Sequence, residues 1–317
     1  MKVAVITGSS ASGLACMKSL LQKTISESSP VDLIVRGCFR LRGRAATARS
    51  SLPAEALQES YEVHTHIDAT DIDSLRRALE GVERAMLVTP SGGRRRQSVA
   101  NDAANSINMI QASKEVGVKR IVHVGCWTAK DPERLPISSS RVVPSENYLK
   151  NEIGDDMEWT VLRGGYSMSN FSQFHADSIN TRHELLAVPE CKIAPVNAGD
   201  IGEAAANLLV LDDYLEFHRS VIDCCGPELY NHKEMAEELG AGIGRTIRYS
   251  RSPTLEDWLE KTDHPFLKEP YMYLADQSNP GKLPFDPDVF ADVLGRPPTT
   301  LRQWAYDNRV LFGGKGY

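Results

Sequence analysis

Apolar positions along the chain switch repeatedly between a continuous run and a helical period. Val3-Ala4-Val5-Ile6 is a short apolar run, and Leu14, Met17, Leu21 and Ile25 follow it at spacings of 3, 4 and 4, which place them on one helical face. A strand and then a helix are predicted. Val31 to Val35 is the second apolar run, and Tyr61 to Ile67 is a third, alternating one. Asp71 to Leu79 reads as a helix capped by Asp71 and closed by Gly81, before the apolar run Ala85 to Val88. Val99, Ala103, Ile107 and Ile110 mark a long helix that ends at Gly117, and Lys119 to Val124 supplies a fifth strand. Five such alternations predict an α/β fold with a doubly wound parallel sheet of the Rossmann kind.

Past Val124 the pattern loosens. Ala129 to Ser145 carries Pro132, Pro136 and Pro144 with a run of three serines, which is loop chemistry. A helix at Glu146 to Ile153 and a strand at Trp159 to Leu162 then complete the sheet. Further helices are predicted at Asp200 to Leu211, Asn231 to Ala241, Thr254 to Glu260 and Thr300 to Asn308, each opening on a capping residue type. The chain therefore divides into a cofactor-binding Rossmann domain, 1–162, and a smaller mixed substrate-binding lobe, 163–317, some of whose segments return to the sheet.

Composition narrows the partners more than the fold. At 317 residues, with 41% hydrophobic and 25% charged residues, the chain can bury a substantial core. A net charge of -6 provides no basic field for phosphate backbones, so no nucleic acid partner is expected. Met1-Lys2 leads straight into the first strand, nothing resembles a signal-peptide core, and no apolar stretch is long enough to span a bilayer. Six scattered cysteines without a CxxC pair read as free thiols, with Cys224-Cys225 in a buried strand. A cytoplasmic protein with no membrane association is expected.

The first strand-to-helix turn carries the chemistry. In an open parallel sheet this turn cradles a pyrophosphate, because the helix start offers unpaired N–H groups and a partial positive charge. Here it is Thr7-Gly8-Ser9-Ser10-Ala11-Ser12-Gly13, and Gly8, Ser9, Ser10, Ala11, Ser12 and Gly13 are assigned to the cofactor. Gly13 is expected to serve cofactor binding more than folding. At the second strand's end an acidic residue would bind a ribose 2′-hydroxyl, whereas arginine would pair with a 2′-phosphate. The segment Val35-Arg36-Gly37-Cys38-Phe39-Arg40 holds no carboxylate, so NADP(H) is expected, with Arg36 at the strand end and Arg40 beyond it; Arg42 and Arg44 read as a solvated basic loop. Asp68 and Ala69 follow the third strand, on the adenine side, and Thr89 and Pro90 line the path to the nicotinamide. His64 and His66 fall on one strand face like a metal pair but lack a third ligand, and the Arg94-Arg95-Arg96 run reads as a solvated loop or a contact for an anionic substrate.

These residues resemble the NmrA-like group of atypical short-chain dehydrogenases over nearly the whole chain. The landmarks are the opening turn, Asp68-Ala69 with Asp71 and Leu75, Gly81-Val82, Gly117-Val118-Lys119-Arg120, Trp159 to Arg163 with Asn170, and Gly226-Pro227-Glu228 with Glu234, Ala236 and Gly244-Arg245. The family turn has three glycines, whereas this one lacks the middle glycine and is one residue short. Competent relatives carry a Tyr-x-x-x-Lys pair, or a lysine four residues before a glutamate. Here Tyr148 is followed at that distance by Glu152, and Val142 precedes Glu146. Thr128, Tyr148, Lys150 and Tyr166 are the candidates to replace the missing proton donor, with plain readings as turn residue, core aromatic, solvated charge and pocket wall. The resemblance implies either of two functions. One is an NADPH-dependent oxidoreductase that delivers hydride to a small electron-poor molecule of quinone, iminium or enone type. The other is a catalytically silent NADP(H) sensor acting through a protein partner.

Overall fold

The computed structural model describes residues 1–25, 32–89, 98–153, 155, 157–187, 191–251, 268–276, 283 and 285–313. Pro90, the Arg94-Arg95-Arg96 run and the helix expected at Thr254 to Glu260 lie outside the described residues. The strands are β1 (Lys2–Ile6), β2 (Ile34–Phe39), β3 (Tyr61–Thr65), β4 (Arg84–Val88), β5 (Arg120–Cys126), β6 (Glu158–Gly164), β7 (Glu184–Ala187), β8 (Ser220–Cys224) and β9 (Arg248–Arg251). The helices are α1 (Ala11–Ile25), α2 (Arg42–Arg49), α3 (Ile72–Leu79), α4 (Ser98–Glu115), α5 (Pro136–Ser139), α6 (Val143–Tyr148), α7 (Ser169–Phe174), α8 (Ala176–Arg182), α9 (Ala198–Val210), α10 (His232–Ile243), α11 (Lys268–Ala275), α12 (Pro287–Leu294) and α13 (Leu301–Asp307).

Seven strands form one sheet in the order β3-β2-β1-β4-β5-β6-β8, all paired in parallel. This is the Rossmann order, with its switch point between β1 and β4. Both faces are covered, so the strands are apolar on both sides rather than alternating. Val3, Val5, Val35, Met86 and Val122 pack with α1, α9 and α12 on one face, while Ala4, Ile6, Ala85, Leu87, Ile121 and Val161 pack with α3 and α4 on the other. A second apolar cluster joins Trp127, Tyr166, Phe171, Leu185, Leu239, Tyr271 and Trp304 around the two-stranded β7–β9 sheet.

Several sequence expectations shift. β2 runs to Phe39, four residues past the expected end at Val35. Two of the three prolines in the segment read as loop begin helices: Pro136 and Pro144 occupy first-turn positions of α5 and α6, where proline's missing N–H costs nothing. The cap of α9 is Asn197, whose side chain accepts from Gly199 N. Asp200, the expected cap, is instead 1% exposed and accepts from Thr299 N and Thr299 Oγ1, both at 2.7 Å, and from Arg296 Nη2 at 2.8 Å. Asp71, Asn231 and Thr300 do cap their helices. β3 stops at Thr65, and His66 turns away with φ 65, so His64 and His66 do not share a strand face. Among the described residues no cluster could hold a metal ion, and no helix is long and apolar enough to cross a membrane.

Candidate cofactor and substrate site

At the carboxyl end of β1 the chain reverses over four residues. Thr7 takes φ 62, an uncommon conformation for a β-branched residue, and Ser10 N donates to Thr7 O at 3.0 Å. Ser10 then caps α1, its Oγ accepting from Gly13 N at 3.0 Å. That hydroxyl removes one N–H from the cradle. Among the described residues, the N–H groups of Ser9, Ala11 and Ser12 have no protein acceptor, and they sit at the positive end of a 15-residue helix. Gly13 has a further duty. A β-carbon on it would lie 2.8 Å from Thr7 O and 3.1 Å from Gly8 Cα, so the glycine holds the turn itself together. The turn itself needs this glycine, whereas the sequence reading assigned it mainly to the cofactor.

The arginines at β2 also divide differently. Arg36 pairs with Ala4 in the middle of the sheet and is 7% exposed. Its Nη1 donates to Ala78 O at 2.9 Å and Glu80 O at 2.8 Å, and its Nε donates to Glu62 Oε2 at 2.9 Å. Arg36 therefore neutralises the carboxyl end of α3, at the edge of the sheet opposite the β1 turn, and is not the strand-end residue. Arg40 is. Gly8 N donates to Cys38 O at 3.1 Å, which sets the exposed Arg40 just beyond the strand end that faces the turn, and its charge helps hold the Asp68 carboxyl below the usual range. The larger cause of that lowering is Thr70, whose N–H and hydroxyl donate to Asp68 Oδ1 at 2.9 and 2.8 Å. Arg42 and Arg44 belong to the first turn of α2, not to a loop. That helix starts on Leu41 with no capping side chain and no acidic residue, so three arginines crowd an already positive helix end. Such an arrangement suits an anion.

The remaining landmarks converge on a cavity of about 360 Å³ at the carboxyl ends of β4, β5 and β6. Val88, Thr89, Val124, Cys126, Trp127, Val142 and Leu274 line it, together with the polar groups of Asp102, Thr128, Arg141, Tyr166, Asn170 and Tyr271. Thr89 Oγ1 is tied to Ser106 Oγ at 2.6 Å, and Ala69 O accepts from Asn108 Nδ2 at 3.0 Å, which fixes the loops after β4 and β3 against α4. Of the four candidate donors, Thr128 and Tyr166 line the cavity. Tyr148 packs instead against the core on the α3–α4 face, and Lys150 is exposed. No lysine lines the cavity among the described residues.

Two buried ion pairs shape this pocket. Asp102, 1% exposed on α4, accepts from Arg141 Nε at 2.8 Å and keeps Oδ1 without a partner, while Glu146, 2% exposed, holds Arg163 through Nε at 2.9 Å and Nη2 at 2.5 Å. Glu146 lies under the cavity floor, against Gly125. Arg141, Asp102 and Tyr271 had no sequence signal: Tyr271 reaches Tyr166 across 105 positions, and Arg141 lies in a serine-rich stretch that reads as loop.

A profile of the NmrA-like family matches residues 2–272. YesF, an uncharacterized oxidoreductase of Bacillus subtilis, is 30% identical over 234 residues, covering 72% of this chain and 75% of that protein. An NAD(P)H azoreductase of Xenophilus azovorans is 28% identical over 255 residues, 78% of this chain and 82% of its own. The quinone oxidoreductase QOR2 of Escherichia coli, solved with NADPH, superposes with a TM-score of 0.73 at 21% identity, covering 96% of this chain and 99% of that one. The profile match across most of the chain and the relative at 30% identity establish that this protein belongs to the NmrA-like family.

Proposed function

We propose that the protein is an NADPH-dependent oxidoreductase that reduces a small, electron-poor, largely apolar molecule. The observation that carries this reading is the cavity of about 360 Å³ beyond β4, β5 and β6, on the same edge of the sheet as the β1 turn. It has room for one or two rings, mostly apolar walls and a few convergent polar groups. A protein that only sensed its cofactor would have no need of it.

The residues present fit the cofactor. The unpaired N–H groups of Ser9, Ala11 and Ser12 would hold the pyrophosphate, Arg40 with the uncapped start of α2 the 2′-phosphate, Asp68 and Ala69 the adenosine side, and Thr89 the path to the cavity. When bound, NADPH supplies hydride. The protein's part is to exclude water with Trp127, Val142 and Leu274 and to orient the acceptor. Quinone and azo acceptors, named for the azoreductase and QOR2, are conjugated electrophiles that need hydride more than strong acid, and this suits a pocket without lysine among its described residues.

The test is an NADPH-oxidation screen against 1,4-naphthoquinone, an azo dye, an iminium salt and a cyclic enone, run in parallel with NADH. Turnover of at least one acceptor with preference for NADPH is expected. Tight NADPH binding with no turnover of any of them would favour the sensor instead, a reading to which the missing Tyr-Lys pair gives its one support.

A further inference from the structure

Within the cavity the hydroxyls of Tyr166 and Tyr271 lie 2.7 Å apart, and both rings are buried. Tyr166 follows β6, whereas Tyr271 comes from α11, 105 positions later. Asn170 lines the same cavity. A phenol oxygen has two lone pairs and one proton. Whichever hydroxyl donates to the other, the pair shares one of its two protons and has one O–H left to give. Burial pushes the Tyr166 phenol up to about 12 and Tyr271 well above its ordinary value, so both stay protonated at neutral pH. Two other donors of the lining are engaged: Thr128 Oγ1 donates to Ser138 O at 3.4 Å, and Arg141 is paired with Asp102.

We infer that the Tyr166 hydroxyl, paired with Tyr271 on the cavity wall, gives the free O–H of that pair to the carbonyl oxygen of a quinone-type substrate and stabilises the negative charge that arrives there. The inference rests on the functional reading above. When a quinone accepts hydride, the new bond's electrons displace a π pair through the ring on to a carbonyl oxygen, giving a hydroquinone monoanion. Tyr166 keeps its own proton and shares it in a short hydrogen bond, and solvent water supplies the proton that completes the hydroquinone once the anion has left the cavity. An iminium cation that accepts hydride becomes a neutral amine, places no charge on oxygen, and has no use for this donor.

That contrast gives the experiment. Tyr166→Phe and Tyr271→Phe are compared with the unchanged protein on 1,4-naphthoquinone and on N-methyl-3,4-dihydroisoquinolinium. Tyr166→Phe is expected to lower kcat for the quinone about tenfold or more, as loss of an oxyanion donor does. Its NADPH affinity and its rate on the iminium cation should stay within about twofold, and Tyr271→Phe should give a smaller loss of the same pattern, as expected of a positioning residue. Equal losses on both substrates, or none on the quinone, would overturn the assignment. A second readout needs no turnover: Tyr166→Phe should weaken binding of 4-nitrophenolate about fivefold while leaving nitrobenzene nearly unchanged. Parallel changes in the two ligands overturn the assignment even in a protein that reduces neither substrate, an outcome that would sink the functional reading on separate grounds.

Discussion

Replacing Arg36 in β2, or Arg40 just beyond it, separates folding from cofactor choice. Arg36→Met keeps the aliphatic stem but removes a guanidinium whose Nη1 holds the carbonyls of Ala78 and Glu80 at 2.9 and 2.8 Å. Two hydrogen bonds from a charged donor at about 1.5 kcal/mol each give a loss of about 3 kcal/mol. The Glu62 pair adds little, because that carboxylate is partly exposed and keeps Lys2 Nζ at 2.8 Å. With an unfolding entropy of about 2.1 cal/mol/K per residue, a chain of this length should lose about 4–5 °C in Tm. NADPH affinity should stay within about twofold, since Arg36 faces the end of α3. Arg40→Ala should do the reverse. Losing one contact to the 2′-phosphate raises the Kd for NADPH about tenfold, or about 1.4 kcal/mol, leaves NADH binding unchanged and moves Tm by less than about 1 °C. Calorimetric titration and thermal melts of both variants decide it. An Arg36→Met protein of unchanged Tm that had lost NADPH would refute the assignment of these two side chains.

Further outcomes follow from single contacts. Gly13→Val, whose β-branch would meet Thr7 O, should cost about 1–3 kcal/mol of stability without cofactor and also weaken NADPH, as melts and titration would show; an unchanged melt would mean that the turn relaxes freely. Glu146→Ala leaves Arg163 half-buried and unpaired, so denaturant unfolding should report a loss of about 3–5 kcal/mol, with a smaller loss for Glu146→Gln. Burial holds His123, His175 and His232 near about 4, below the unfolded value of 6.5, so the unfolded chain binds more protons between these limits. Stability should be complete above pH 6.5 and fall as pH drops towards 4, by up to about 1.4 kcal/mol per pH unit for each histidine. A denaturation midpoint that is flat from pH 7 to 4.5 would refute that burial.

The βα alternation was legible because each unit announces itself locally: an apolar run, a turn glycine and a capping Asp71, Asn231 or Thr300. The β1 turn was legible for the same reason. What failed was anything decided by register or by partners far along the chain. Apolar character fades after Val35, but β2 continues through Arg36 because α3 offers it carbonyl acceptors, and no local pattern records that. Asp200 has the composition of a cap and is used instead to tie down Thr299 and Arg296, 99 and 96 positions away. Prolines at 136 and 144 read as breakers although they start helices. The Tyr166–Tyr271 pair joins segments whose adjacency only the folded chain creates.

The packing of α9 on α1 has a consequence for how such chains can be recombined. Gly202 lies so close to the start of α1 that a β-carbon on it would collide with Ser12 O, in the first turn of that helix. α9, β8 and α12 all come from the later part of the chain, yet they complete the sheet and cover one of its faces. Cutting between 162 and 163 would therefore not release an autonomous nucleotide-binding module. A chimera joined there would inherit Ser12 from one parent and its neighbour at 202 from the other. Crossovers should succeed only where the parent that contributes position 202 keeps it small, so the packing that sets the start of α1 is inherited from both halves of the sequence.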